Sequence, residues 1–264
     1  MGAALDRGLA ILELLARQPE GLPLSMIATD LDLPLGACHR LLAQLRGHGY
    51  VRQVREHGDY LLTTKVVSLG LGYLSSGGTV EVAGPVLERL AQVSGELVRL
   101  SIVDGDRLTW VAKSQGHRQA GLRYDPDMGM DVRLSCTSSG HAWLMTLSDE
   151  RALELVLRQG FGPPAQYGPQ APTTVRALLG FLHAARVRGY AMIDEVFAPG
   201  MAALAAPVMR RGQAIGVISI AGPLARLTHD RVQALAPVLV DAVGELGPNS
   251  DPSRLFGKPP LGKG

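Results

Sequence analysis

The run "LPLGACHRLLAQLRGHGYVRQVREHGDYLLT", Leu33 to Thr63, constrains the fold of this chain more than any other stretch. It reads as an apolar-striped helix, a short alternating strand, a polar turn holding His57, Gly58 and Asp59, and a second strand. A two-stranded hairpin this small is barely stable alone, so it must lean on the helices before it. In "ALDRGLAILELLARQPEG" the spacing puts Leu5, Leu9, Leu12 and Leu15 or Ala16 on one helix face, and Pro19 with Gly21 ends the helix. In "LSMIATDLDLP" Ser25 is the expected N-cap of a short helix carrying Ile27, Ala28 and Leu31. Asp32 and Leu33 then turn the chain, and Pro34 suits the first position of a third helix with Leu41, Leu42 and Leu45 inward. Three short helices and a hairpin make a winged helix-turn-helix.

Such a module places its third helix in the major groove of double-stranded DNA, with the wing on the backbone or minor groove. Phosphate contacts belong at the rim and base contacts at the start of the third helix. The rim candidates are Arg7, Ser25, Arg52, Arg55 and His57, and the base-facing candidates are Leu35, Gly36, Ala37, His39 and Arg40. A winged helix used only for protein contacts is the alternative, because Asp6, Glu13, Asp30, Asp32 and Glu56 offset the bases. The formal net charge of +2 is too small to announce a nucleic-acid binder, so any basic footprint is local. Hydrophobic content of 46% with 19% charged residues describes a folded globular chain. The only two cysteines, Cys38 and Cys136, lie far apart, which fits a reducing compartment better than a disulfide framework. With no leader pattern and no long apolar run, the expectation is a soluble cytoplasmic protein without a membrane partner.

Beyond residue 64 the pattern changes. Val66, Val67, Leu69, Leu71 and Leu74 are spaced for a helix ahead of Gly77 and Gly78, and Val82, Val86, Leu90 and Val93 mark the next. Asp104, Gly105 and Asp106 sit between two alternating segments, a strong hairpin signal. A further strand is expected near 121–124, a helix that Ser138 and Ser139 precede, running through about Leu147, and another over "TVRALLGFLHAARVRG". "YAMIDEVF", "MAALAAPVMR" and "QAIGVISIAG" read as strands, and "THDRVQALAPVLVDAVGEL" as the closing helix. Helices flanking an antiparallel sheet give an α+β sensor domain. The expected divisions are 1–64 for the winged helix, 65–78 for a linker helix, 79–247 for the sensor and 248–264 for a flexible tail.

The richest polar run is "RLSCTSSGHAW". A loop entering a helix offers backbone N–H groups to an anion, and Ser135, Thr137, Ser138 and Ser139 add hydroxyls, so a small carboxylate is the natural guest. An ordinary N-cap would use the same residues. Cys136 and His141 are close enough in sequence to suggest a thiol nucleophile with its base. No third orienting group and no Gly-x-Ser-x-Gly elbow accompany them, and a buried cysteine is the commoner outcome. His117, His141, His183 and His229 lack metal-ligand spacing, so neither a metal nor a cofactor is expected.

"ALDRGLAILELLARQPEGLPLSMIATDLDLPLGACHRLLAQLRGHGYV" resembles the N-terminal domain of the IclR family of bacterial transcription regulators. "RLSCTSSGHAWLM" and "RGYAMIDEVFAPGMAALAAPVMRRGQAIGVISIAGPLARLTHDRV" resemble its effector-domain segments, in the family's order. The resemblance implies a GAF-like sensor, a linker helix near dimer contacts, and a homodimer or tetramer on a near-palindromic operator. It maps an effector pocket onto Tyr124, Ser138, Ser139, Ile193, Met201, Ala203, Ser219 and Ala221. Ile193 and Ala221 stand where some relatives carry polar side chains, which implies a small organic acid with an aromatic or apolar body. The chain departs from the family pattern twice. Gly36 and Ala37 replace a Ser-Thr pair, which moves base reading to His39, Arg40, the Ala37 methyl or DNA shape. Gly140, His141 and Ala142 replace Gly-Lys-Ala. The alternatives to a ligand-responsive regulator are a small-molecule-processing enzyme with an accessory winged helix and a protein-interaction adaptor.

Overall fold

Nine buried residues from five elements, and from the turn leading into one of them, make the first core, and that core decides how the N-terminal helices face. The computed structural model describes residues 2–55, 58–77, 79–116 and 131–249. The chain divides into two units, Met1–Ser76 and Gly77–Gly264. The first unit runs α1 (Gly2–Ala16), α2 (Leu24–Asp30), α3 (Leu35–Gly47), β1 (Val51–Gln53), β2 (Tyr60–Leu62) and α4 (Thr64–Gly77). Ile11, Leu15, Leu22, Ile27, Ala28, Cys38, Leu42, Val51 and Tyr60 form its core. Leu5 and Leu9, expected inward, are 66% and 48% exposed. Only the second half of α1, from Ile11 on, contributes to the core, so the stripe follows Ile11 and Leu15.

Two helix starts differ from expectation. Pro23, extended at φ −70° and ψ 153°, is the N-cap of α2, and Ser25 lies inside the first turn, where its carbonyl accepts the Thr29 hydroxyl at 2.9 Å. Pro34 is likewise the cap of α3 and not its first residue. The pre-set φ of proline suits either position, and no side chain caps either helix. The hairpin pairs Val51 with Leu62 and Gln53 with Tyr60. Leu22 adds a further rung outside the hairpin, with Leu22 N–H donating to Tyr60 O at 3.1 Å and Tyr60 N–H to Leu22 O at 2.8 Å. That rung and the burial of Tyr60 explain how so small a wing holds. His57 lies outside the described residues.

The second unit contains α5 (Thr79–Ser94), β3 (Leu97–Asp104), β4 (Arg107–Gln115), α6 (Ser138–Leu144), α7 (Asp149–Gln159), α8 (Val175–Arg188), β5 (Ala191–Asp194), β6 (Met201–Arg210), β7 (Gln213–Pro223) and α9 (His229–Asn249). The five strands form one antiparallel sheet in the order β4-β3-β7-β6-β5. Strand alternation sends Val98, Leu100, Leu204, Ala206, Ile218 and Ile220 to the face packed by α5 and α9. The opposite face carries Leu97, Arg99, Ser101, Ala203, Ala205, Ser219 and Ala221, and α6 packs on its β5, β6 and β7 portion.

The expected α+β class with an antiparallel sheet is what the structure shows, and the Gly105 turn joins β3 to β4 as expected. Three readings are corrected. The helix from Ser138 stops at Leu144, because Ser148 starts a new helix by capping Arg151 N–H at 3.3 Å. That helix, α7, has no counterpart in the sequence reading, although Ala152, Leu155 and Val156 are its buried stripe. Val93 is 47% exposed, while Val86, Leu87, Leu90 and Ala91 of α5 are buried. The strand expected near 121–124 and the tail beyond residue 249 lie outside the described residues.

Candidate nucleic-acid interface and effector site

With Cys38 and Leu42 turned into the core, the opposite side of α3 must face outward. Leu35, Gly36, His39 and Arg40 are exposed there, Ala43 and Gln44 continue the stripe, and Ala37 is half-buried at its edge. The wing residues Arg52 and Arg55 are exposed, as are Arg7 on α1 and Ser25 on α2. Residues 35–55 carry four arginines and no acidic side chain. The acids of this unit therefore sit outside the segment that spans α3 and β1. Ala43 and Gln44 were missing from the sequence candidates; their signal was the helical spacing from His39 and Arg40. The start of α4 is tied back to this segment, since Lys65 Nζ donates to His48 O at 2.7 Å and lies 4.8 Å from the Tyr50 ring centre.

In the second unit Ile193, Met201, Ala203 and Ala221 come together in one buried cluster with Cys136 and Val196. Ser219 lies in the next row of the same sheet face, paired with Arg99 on one side and Ala205 on the other. Ser135, Thr137, Ser138 and Ser139 are all buried at the entry to α6. Their hydroxyls do not all face a guest. Thr137 donates to Arg133 O at 2.7 Å and accepts Gly140 N–H at 2.9 Å, and Ser135 donates to Phe161 O at 3.3 Å. The N-cap is thus Thr137, and α6 is only seven residues long. The Gly140 N–H is thus already taken by the cap, while Ser139 Oγ is buried without a partner among the described residues. A Cβ on Gly140 would lie 2.5 Å from Leu134 O, so this close approach admits only glycine. Tyr124 lies outside the described residues.

His141 and Cys136 do not form a nucleophile pair. Burial holds the His141 imidazole neutral, its pKa lowered to about 4, and its Nε2 is 2.7 Å from Ser135 O. Burial likewise pushes the Cys136 thiol up to about 12, although Ser135 and Arg133 act the other way. A thiol with that pKa is no nucleophile at neutral pH. Among the described residues no cluster of His, Cys, Asp or Glu could hold a metal ion, and no helix is long and apolar enough to cross a membrane.

Residues 4–55 match the IclR helix-turn-helix domain, and residues 71–246 match the bacterial transcriptional regulator IclR C-terminal domain. The chain belongs to the IclR family. That is a family of transcription regulators and not of enzymes, which removes the processing-enzyme alternative. The transcriptional repressor IclR of Escherichia coli K12 is 29% identical over 244 residues, covering 92% of this chain and 88% of the relative. An IclR transcriptional regulator from Alicyclobacillus acidocaldarius shares the fold at TM-score 0.81 and 20% identity, covering 95% of this chain and all of that one. An IclR homologue from Microbacterium hydrocarbonoxydans, solved with 4-hydroxybenzoate, matches at TM-score 0.74 and 21% identity over 92% of this chain and 98% of that one.

Proposed function

We propose that this IclR-family regulator is a cytoplasmic repressor that binds a near-palindromic operator as a homodimer or tetramer, and that a small organic acid in its sensor domain changes operator affinity. The observation that carries the DNA half is the acid-free stretch from Leu35 to Arg55, with Arg40, Arg52 and Arg55 exposed along it. Under this reading Leu35, Gly36, Ala37, His39 and Arg40 meet base edges, while Arg7, Ser25, Arg52, Arg55 and His57 hold phosphates. A self-pairing surface is supported by apolar side chains left outside the core: Leu5 and Leu9 on α1, and Val67, Leu69 and Leu71 on α4. Residues 1–64 serve as the reader, 65–78 as the linker, 79–247 as the sensor and 248–264 as the tail.

The sign of regulation follows the curated relative, a repressor. The effector class follows the buried cluster of Ile193, Met201, Ala203 and Ala221, with Ser219 in the next row of the same sheet face; Ser139 and Tyr124 are the further residues this reading assigns to the pocket. The relative solved with 4-hydroxybenzoate agrees with an aromatic acid. A ligand alters DNA binding only by its differential affinity for the two arrangements of the dimer. The test is operator binding by an Arg40, Arg52, Arg55 triple alanine variant. Loss of binding with an intact thermal transition supports the reading; unchanged affinity removes this face from the DNA interface.

A further inference from the structure

The sequence candidates omit the most unusual side chain on the sensor's sheet face. Arg99, on β3, is 4% exposed, and its Cζ lies 4.1 Å from the centre of the Trp110 ring. It is the direct cross-strand partner of Ser219, and Ser101 follows two residues on, so all three side chains share one face. Ser101 is in turn paired with Trp110. Ser101, Ser219 and Trp110 are 0%, 0% and 4% exposed, and among the described residues Ser101 Oγ, Ser219 Oγ and Trp110 Nε1 have no hydrogen-bond partner.

Buried polar atoms are rarely left unmatched. The indole N–H is a donor only, and each hydroxyl can donate, so these groups gather around a cation that is itself all donor. Three buried donors left without an acceptor, gathered beside a guanidinium, make an arrangement that a carboxylate completes. Arg99 has interactions beyond the indole, and its planar fork of donors still suits a carboxylate bidentately.

We propose that Arg99, flanked by Ser219 and Ser101, receives the carboxylate of the effector, with Trp110 as the wall behind it. This rests on the reading above that the sensor binds a small organic acid, and it moves the acid group from the α6 start to the middle of the sheet. From there the row beside Arg99 and Ser219 runs through Ala221 and Ala203. The uncharged body of the guest therefore lies toward Ile193 and Met201. The Arg99 side is specific for charge and the alanine side for shape.

Calorimetry on the full chain with 4-hydroxybenzoate, benzoate and isobutyrate, each against its neutral amide, tests this. The expected result is binding of at least one acid, with its amide at least about ten-fold weaker. Arg99→Gln should weaken the acid about ten- to hundred-fold, the range for a lost hydrogen bond to a charged group. Ser219→Ala removes an unpartnered buried hydroxyl, so it should melt no lower than the wild type yet bind the acid several-fold more weakly. It serves as the folded control if Arg99→Gln fails to fold. Equal binding of acid and amide, or wild-type affinity in folded Arg99→Gln or Ser219→Ala, overturns the Arg99 site and leaves the organic-acid reading standing. If the wild type binds none of the acids, the organic-acid reading falls and this site falls with it.

Discussion

The Nε2 of His141 sits 2.7 Å from the carbonyl oxygen of Ser135, so the ring donates to that carbonyl and its Nδ1 is left buried without a partner among the described residues. This bond fixes the tautomer and braces the turn that leads into α6. Burial keeps the ring neutral, at a pKa of about 4 against 6.5 for the free side chain. Between those two values the unfolded chain binds a proton that the folded chain does not. Stability is therefore fully present above about pH 6.5 and falls as the pH drops toward 4, by an amount on the order of 3 kcal/mol. Urea melts at pH 7 and pH 4.5, compared with those of His141→Gln, should show a shallower fall in the variant. Identical falls would show that His141 does not titrate on unfolding.

Glu96 is 3% exposed and accepts two bonds from Arg226, at 2.6 and 2.7 Å, joining the start of β3 to the turn before α9. Arg226 is itself partly exposed, but removing it strands the buried carboxylate. Arg226→Ala should destabilise the second unit by about 3 kcal/mol, read as a lower urea midpoint at unchanged slope. A loss below about 0.5 kcal/mol would make the pair equivalent to an exposed ion pair.

Cys38 and Cys136 are both buried, and burial raises both thiol pKa values, that of Cys136 to about 12. Neither should react with a chromogenic disulfide reagent in the native protein at neutral pH, and both should react in denaturant. Rapid native labelling of Cys136 would mean that the α6 turn opens readily.

Arg52 and Arg55 are exposed on the wing, where phosphates are the expected partners. Substituting each with alanine should weaken operator and unrelated DNA alike and reduce the slope of log affinity against log salt by about one per arginine. Arg40→Ala should instead reduce the preference for the operator. A salt slope unchanged in the Arg52, Arg55 double variant would place the wing away from the backbone.

Gly36 has no atom within 4 Å of where a Cβ would lie, and its φ is not in the left-handed region. Gly36→Ala should raise the stability of the first unit by a few tenths to about 1 kcal/mol, measured by thermal unfolding. A loss would reveal a conformational need for glycine at that position.

The winged helix was legible because its signals are local. Helical spacing, proline at the helix starts and a short polar turn fix elements whatever surrounds them. The same holds for Thr174, which caps α8 by accepting Ala177 N–H at 3.2 Å, and for Gly189, which ends it at φ 81°. Local pattern could not tell which leucines of α1 face inward, since that depends on where α3 and β2 lie. Leu5 and Leu9 keep helical spacing and still face out.

What the sequence by itself determined was the order and kind of most elements, the antiparallel pairing implied by short connections, and through its motifs the family. What only the tertiary structure decided was which polar groups meet. Arg99 and Ser219 are 120 positions apart in the chain, and strand register alone makes them neighbours. Ser135 and Thr137 look available in the sequence, yet packing commits their hydroxyls to Phe161 and Arg133 carbonyls. Side-chain periodicity is a property of a few residues, whereas register, burial and hydrogen-bond partnership are set by contacts between segments that no local pattern contains.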